Sequence, residues 1–266
     1  MIQVKLSEIE DITKIKSMFQ GIQDSMVISF FQGYMGDLWI DSIENPRTGL
    51  IVSGEYSFYG GASDTPGALS LEESLFDFIN GKKTTGIYSQ KRMDWRDRLL
   101  TFAGFFPKEI IRHGIVQKDY AFDREKLEDY MDKIPEGYSI RPFDEELYNG
   151  SLKEEWAEEF CDTFGSYEGY KRRGFGYGVL KDGQLVSGAS TMTVYNEGFE
   201  VQVATREDYR GQGLALVASA ALLLEGMQRG LRACWDADNE ASLHVALKLG
   251  YEYMGEYSTV RLYRPE

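Results

Sequence analysis

The chain reads as an α/β (α+β) protein. A mixed, mostly antiparallel sheet with flanking helices fills the C-terminal half, preceded by a smaller α/β N-terminal domain. Three observations carry this reading. Residues 175–181 and 184–195 are strand-like runs joined at Asp182-Gly183, a dipeptide suited to a two-residue hairpin turn. Residues 199–205 form another strand-like run, followed by the turn Arg210-Gly211-Gln212-Gly213 and an Ala/Leu-rich stretch, 214–224, that predicts a buried helix. Asn239 opens a further helical stretch closed by Gly250, a residue suited to the left-handed conformation just past a helix end.

The elements follow in order. Residues 7–20 predict a helix with Ile9, Ile12, Ile15 and Phe19 on one stripe. Residues 50–59 alternate like a strand and stop at Gly60-Gly61, while 71–79 and 91–102 read as helices. Residues 115–122 read as extended, and 123–133 as a charged helix bridging the two halves. We therefore expect an N-terminal α/β domain over 1–130 and a second domain over 131–266. In the second, Tyr138-Ser139-Ile140-Arg141 is a short strand after the break at Ile134-Pro135-Glu136-Gly137. Residues 153–164 predict a helix, because Trp156, Phe160 and Phe164 lie four apart on a core-facing side. Asn196-Glu197-Gly198 turns the chain into 199–205, and 231–235 is a further strand.

Composition narrows the function. At 42% hydrophobic residues and only 6 prolines the chain is globular rather than disordered. Its longest apolar stretch is shorter than the ~20 residues a membrane span needs. Met1-Ile2-Gln3-Val4-Lys5 lacks the blocks of a signal peptide, so a cytoplasmic location is expected and no membrane partner. Cys161 and Cys234 alone give neither a disulfide framework nor a cysteine-rich zinc site, and His113 and His244 lack ligand spacing, so no metal is expected. A net charge of −14 argues against nucleic acid as a partner. The same charge suits a cationic acceptor or serves solubility alone.

A strand, a Gly-rich turn and a buried helix make an anion site, because successive backbone N–H groups converge and the helix N-terminus adds its dipole. The dipole contributes about 0.3–1 kcal/mol at an exposed site, whereas each N–H bond to a charged group contributes about 1.5–3 kcal/mol. The cradle is mainly a hydrogen-bond device, and it suits a pyrophosphate. The turn has neither the three glycines of the dinucleotide fingerprint nor the Gly-Lys-Ser/Thr of the nucleotide P-loop. What remains, Arg210-x-x-Gly213-x-Ala215, resembles the Arg/Gln-x-x-Gly-x-Gly/Ala signature of the GNAT superfamily of N-acetyltransferases. Val203-Ala204-Thr205 is similar to the end of that family's fourth strand. The stretch Trp235-Asp236-Ala237-x-Asn239-x-x-Ser242, with its Lys248-Leu249-Gly250-Tyr251 ending, resembles one branch of it. The resemblance covers about residues 134–266.

It implies a fold, a donor and roles. The donor is acetyl-coenzyme A as co-substrate, with its pyrophosphate on Arg210, Gly211, Gln212, Gly213, Leu214 and Ala215. Its pantetheine lies along Val203, Ala204 and Thr205. Asn239 either touches the cofactor near its thioester or only caps the helix. Transfer to a primary amine, small molecule or peptide, requires a base, since an alkyl ammonium of pKa about 10.4 lies ~3.4 units, or about 4.6 kcal/mol, from neutrality at pH 7. Glu200 lies close to where many family members keep a catalytic glutamate, with Glu197 the alternative if the hairpin is longer. Asp236 and Asp238 either line the acceptor pocket or cap the next helix. The family's tyrosine acid falls on Ala246, so Ser242 stands as the donor to the leaving thiolate, as in the branch resembling ribosomal-protein N-terminal acetyltransferases. Direct transfer without a covalent intermediate is expected, since neither cysteine falls in the loop or its flanks. Lys171-Arg172-Arg173 either meets the 3′-phosphate or is solvated. Residues 1–130 lack such a loop, so one cofactor per chain is expected. That half shapes the acceptor site, forms a homodimer contact, or is a degenerate acetyltransferase-like unit. The alternative to an enzyme is a non-catalytic acyl-coenzyme A binding module.

Overall fold

The computed structural model describes residues 1–79, 83–91 and 93–265. Its contacts divide the chain into two compact units, Met1–Arg112 with Tyr257–Glu266, and His113–Glu256. The first unit holds β1 (Ile2–Val4), α1 (Ile12–Met18), α2 (Ser25–Phe31), β2 (Asp37–Ile40), β3 (Thr48–Ser53), β4 (Tyr56–Gly61), α3 (Pro66–Phe78), β5 (Lys83–Tyr88), α4 (Asp94–Leu100) and most of β6 (Phe106–Ile115). The second holds α5 (Arg124–Met131), β7 (Tyr138–Pro142), α6 (Glu145–Ser151), α7 (Tyr167–Arg173), β8 (Gly176–Lys181), β9 (Gln184–Tyr195), β10 (Gly198–Thr205), α8 (Leu214–Arg229), β11 (Arg232–Cys234), β12 (Asp236–Ala237) and α9 (Glu240–Leu249). The last strand, β13 (Tyr253–Tyr263), begins in the second unit and ends in the first.

The fold class is the expected one: among the described residues, nine α-helices flank two mostly antiparallel sheets. In the first unit the strand order is β1-β2-β3-β4-β5-β13-β6, and β4 and β5 run parallel. In the second it is β11-β10-β9-β8-β7, with β10 and β11 parallel. One element order recurs along the chain, strand, two helices, three strands, helix, strand, helix, strand, over β1 to β6 and again over β7 to β13, with α5 ahead of the second run and the two-residue β12 as an addition within it. No helix among the described residues is long and apolar enough to cross a membrane.

In the second unit, Asp182 and Gly183 both take positive φ, 50° and 78°, as a tight hairpin turn between β8 and β9 requires. Helix α8 packs on β8, β9 and β10 through a run of buried Ala and Leu. It approaches β10 closely at Gly226, where a Cβ would stand 2.8 Å from the Phe199 ring. The other face of this sheet carries a second core of Phe143, Leu147, Tyr148, Phe160 and Tyr170.

Several expectations are corrected. Residues 50–59 are not one strand but a hairpin, β3 and β4, with positive φ at Gly54 between them. Residues 7–20 begin with a 3-10 turn, Leu6–Glu8, and the helix starts only where Asp11 accepts from the Thr13 N–H. Residues 115–122 are not a strand: β6 ends at Ile115, and Tyr120 and Phe122 instead pack on Tyr251. Residues 153–164 are not a helix but turns, including the 3-10 segments Glu158–Phe160 and Asp162–Phe164. Phe160 is nevertheless fully buried, with Trp156 and Phe164 packed against its cluster.

Candidate active site

The site forms where β10 loses its neighbour. β11 pairs with β10 only at Gly198, Phe199 and Glu200, and its last paired residue, Cys234, stands opposite Glu200. β12 then leaves to pair with the end of β6, Asp236 opposite Gly114. Residues 201–205 keep β9 on one side and have no paired strand on the other among the described residues. The register of β9 also shifts between Glu200 and Val201, a bulge that bends the strand at this point. Val203, Ala204 and Thr205 are half-buried along the opened edge, where the Ala204 carbonyl accepts from the Ser187 hydroxyl and no paired strand covers the side away from β9 among the described residues.

The turn after β10 is held from three sides. The Arg210 Nε–H donates to the Thr205 carbonyl at 3.2 Å, and the Tyr138 hydroxyl donates to Gln212 Oε1 at 2.7 Å. The Tyr209 ring packs edge-on against Tyr138 and under the Arg206 guanidinium. Gly211 and Gly213 have φ of 79° and 80°, and a Cβ at either would meet nothing within 4 Å. Gly213 is the N-cap of α8 and offers no side chain to its first turn. Among the described residues, the N–H groups of Gly211, Gln212, Gly213, Leu214 and Ala215 have no protein partner, while Leu216 and Val217 donate back to the Gly213 carbonyl. Five consecutive donors at the positive end of a sixteen-residue helix fit a pyrophosphate.

Glu200 is the third residue of β10 and only 9% exposed. Its neighbours across the strands are Thr193 on β9 and Cys234 on β11. The Thr193 hydroxyl is fully buried and has no hydrogen-bond partner among the described residues. The Cys234 sulfur lies 3.2 Å from the Tyr195 hydroxyl, whose pKa is pushed above its ordinary value by burial and then by Cys234. Cys234 lies outside the loop and its flanking segments, yet the pairing of β10 with β11 sets it opposite Glu200. Spacing along the chain hid a contact that the parallel pairing of β10 and β11 creates. Cys161 is buried in the cluster with Phe143, Phe160 and Tyr170, and burial pushes its thiol up to about 12.

Two residues along the same face, the Gln202 amide donates to Glu159 at 2.8 Å. At the start of α9, Asn239 Oδ1 accepts from the Ser242 N–H at 3.0 Å, which is the capping role. The Trp235 indole N–H donates to Ser242 Oγ at 3.1 Å, leaving the hydroxyl hydrogen for another acceptor. Tyr138, Thr193 and Trp235 carry no local sequence signal for these roles. Strand register brings Thr193 to Glu200, while Tyr138 and Trp235 reach the turn and the start of α9 through side-chain bonds.

The structure places the remaining candidates as follows. Glu197 is exposed in the turn before β10, with its carbonyl bonded to the Arg232 N–H. Asp236 belongs to β12, and Asp238 is exposed just ahead of the α9 cap. Lys171, Arg172 and Arg173 form the exposed last turn of α7, where cations favour the helix C-terminus. His113 sits near the Tyr253 hydroxyl and His244 is exposed on α9, and no metal-holding group occurs among the described residues.

A family model, the GNAT acetyltransferases, matches residues 16–260. The chain belongs to that family, and the match extends well beyond residues 134–266. The chain is similar to the uncharacterized N-acetyltransferase YdfB of Bacillus subtilis, 25% identical over 68% of this chain and 70% of that protein. It is also similar to the crystal structure of a GCN5-related N-acetyltransferase-like protein from Streptococcus suis. That match has a TM-score of 0.85 and 28% identity, covering 97% of this chain and all of that one. A tandem GNAT protein from the clavulanic acid biosynthesis pathway shares the fold at a TM-score of 0.56 and 14% identity, over 100% and 98% of the two chains.

Proposed function

We propose that this protein is an N-acetyltransferase that moves an acetyl group from acetyl-coenzyme A directly to a primary amine. The row of unpartnered N–H groups at residues 211–215, beside the opened edge of β10, supports the donor most strongly. Acetyl-coenzyme A supplies the activated acetyl thioester. Residues 211–215 bind its pyrophosphate, and the open edge at 203–205 pairs with its extended arm.

The chain's own groups then move protons. Glu200 takes a proton from the acceptor ammonium, directly or through one water, which exposes the nitrogen lone pair. As the N–C bond forms and the C–S bond breaks, a second proton leaves the nitrogen to water and the sulfur departs as the thiolate. The Ser242 hydroxyl, held by Trp235, donates to the departing sulfur. A thiolate of pKa about 8.5 needs little help at pH 7. Direct transfer remains the reading, because the Cys234 thiol is buried and engaged with Tyr195. The first unit, whose run β1 to β6 has the element order of β7 to β13, is read as a degenerate copy that does not bind the donor.

A thermal-shift scan with acetyl-coenzyme A tests the donor. A thiol-release assay over polyamines, amino acids, aminoglycosides and peptides tests the acceptor. Stabilisation by acetyl-coenzyme A together with thiol release on one class of amine is the expected result. A protein indifferent to acetyl-coenzyme A removes the reading.

A further inference from the structure

The second unit holds a cavity of about 180 Å³ between α7, the start of β8 and the last turn of α8. Phe143, Tyr170 and Phe175, all buried, make its aromatic walls. Lys171, Glu225 and Arg229 bring its charges. Arg229 ends the helix that Leu214 begins, about 22 Å along its axis, so the cavity stands apart from the row of bare N–H groups.

Which of these groups are already engaged decides the ligand. Both oxygens of the Glu225 carboxylate accept: Oε1 from the Arg229 guanidinium, with Nε at 2.9 Å, and Oε2 from the Tyr177 hydroxyl at 2.7 Å. Arg229 commits Nε and one terminal nitrogen to that carboxylate and lies 4.2 Å over the Phe175 ring. Its other terminal nitrogen has no acceptor among the described residues. Lys171 has no carboxylate partner among them either, and its ammonium lies 6.0 Å from the centre of the Tyr167 ring. Two cations thus face one carboxylate whose oxygens are both occupied, in a chain of net charge −14. Free N–H donors above aromatic walls suit an anion carried on an apolar body.

We propose that this cavity binds a small aromatic carboxylate, its ring among Phe143, Tyr170 and Phe175 and its charge at Lys171 and Arg229. The site is additional to that of the acetyl transfer and does not rest on it. A carboxylate supplies the acceptors that both cations lack, and bonds between ionised partners are about twice as strong as neutral ones. The ring follows from the volume. An apolar cavity of about 150 Å³ holds a benzene, so one of about 180 Å³ takes a single six-membered ring, with its carboxylate at the rim where Lys171 and Arg229 are exposed. Lys171 thereby serves this cavity and not the 3′-phosphate of the donor.

The test uses the full chain and three probes, benzoate, benzamide and acetate, with binding followed by calorimetry in the absence and presence of coenzyme A. Benzamide keeps the ring and loses the charge, whereas acetate keeps the charge and loses the ring. Benzoate is expected to bind more tightly than either by about tenfold or more, and equally well with coenzyme A present. Lys171→Met replaces an exposed ammonium by an apolar end of similar length, so the fold should persist. It should weaken benzoate about tenfold while the melting temperature of the free protein and the acetyl-coenzyme A thermal shift stay unchanged. Lys171→Arg should keep most of the affinity. Absence of benzoate binding, equal affinity for benzamide or acetate, or an unaltered constant in Lys171→Met overturns the proposal. Displacement of benzoate by coenzyme A assigns the anion to residues 211–215 and overturns it as well.

Discussion

Gly213 shows how much of the site depends on single residues. Its left-handed φ lets the chain turn into α8, and its missing Cβ leaves open space in front of five unpartnered N–H groups. Gly213→Glu places a carboxylate where the pyrophosphate belongs, so the thermal shift with acetyl-coenzyme A should vanish from a protein that still folds. Unchanged affinity by calorimetry would falsify the loop assignment. Ser242 is a subtler case. Its N–H caps onto Asn239, and its oxygen already accepts from Trp235, so the hydroxyl hydrogen is left for another acceptor. Ser242→Ala should lower kcat about tenfold with little change in acetyl-coenzyme A affinity, the pattern of an interaction made in the transition state. Trp235→Phe keeps the ring but frees the hydroxyl to rotate, and should reproduce part of that loss. An unaltered kcat in Ser242→Ala leaves water as the better acid. The loop glycines and the Asn239 cap were legible because each has one short-range physical job. Thr193 and Tyr138 were not, because the first meets Glu200 only through strand register and the second bonds Gln212 74 positions away.

At the scale of elements, the two strand–loop–helix connections diverge where it matters. In the second unit the path from β10 to α8 presents bare N–H groups. In the first unit the corresponding path from β4 to α3 is closed to an anion. The Thr65 hydroxyl accepts from the Ala68 N–H at 3.0 Å and also meets the Thr48 hydroxyl. Pro66, at the first helical position, has no N–H to offer. A Cβ at Gly67 would stand 2.4 Å from the Asp41 side chain, which places a carboxylate beside the helix N-terminus. Caps and an acid have replaced the cradle. Calorimetry at saturation should therefore give one acetyl-coenzyme A per chain, and a stoichiometry of two would show that the first unit binds by another route. The same comparison explains which elements the sequence disclosed. Asp182-Gly183 and Gly250 are readable because left-handed backbone demands such residues. The hairpin at Gly54 was hidden because Ser53, Glu55 and Ser57 carry the alternation of a single strand straight across the turn. The spacing of Trp156, Phe160 and Phe164 is met by 3-10 turns on the same core as well as by a helix.

For the whole molecule, the consequential feature is the return of the chain's end to its beginning. In β13, Val260, Leu262 and Thr259 are fully buried, and Val260 and Leu262 pair with Gly86 and Thr84 of β5. Burying two such aliphatic side chains contributes about 1.5–3 kcal/mol each, a large share of a marginal stability. A fragment of residues 131–266 therefore carries an apolar strand without its sheet. It also lacks groups the second unit needs. Leu127 of α5, the helix that packs on α8, is fully buried. The Tyr120 and Phe122 rings lie 4.9 and 5.0 Å from Tyr251. The Tyr120 hydroxyl accepts from the Glu252 N–H, and the Gln117 amide donates to the Trp235 carbonyl beside the Ser242 donor. A fragment of residues 113–256 keeps all of these and omits the orphaned strand. The expectation is that 113–256 unfolds cooperatively on heating and is stabilised by acetyl-coenzyme A, whereas 131–266 aggregates or shows no transition. If 131–266 instead melts cooperatively at the temperature of the longer fragment, the contacts of residues 113–130 contribute nothing to the fold around the site.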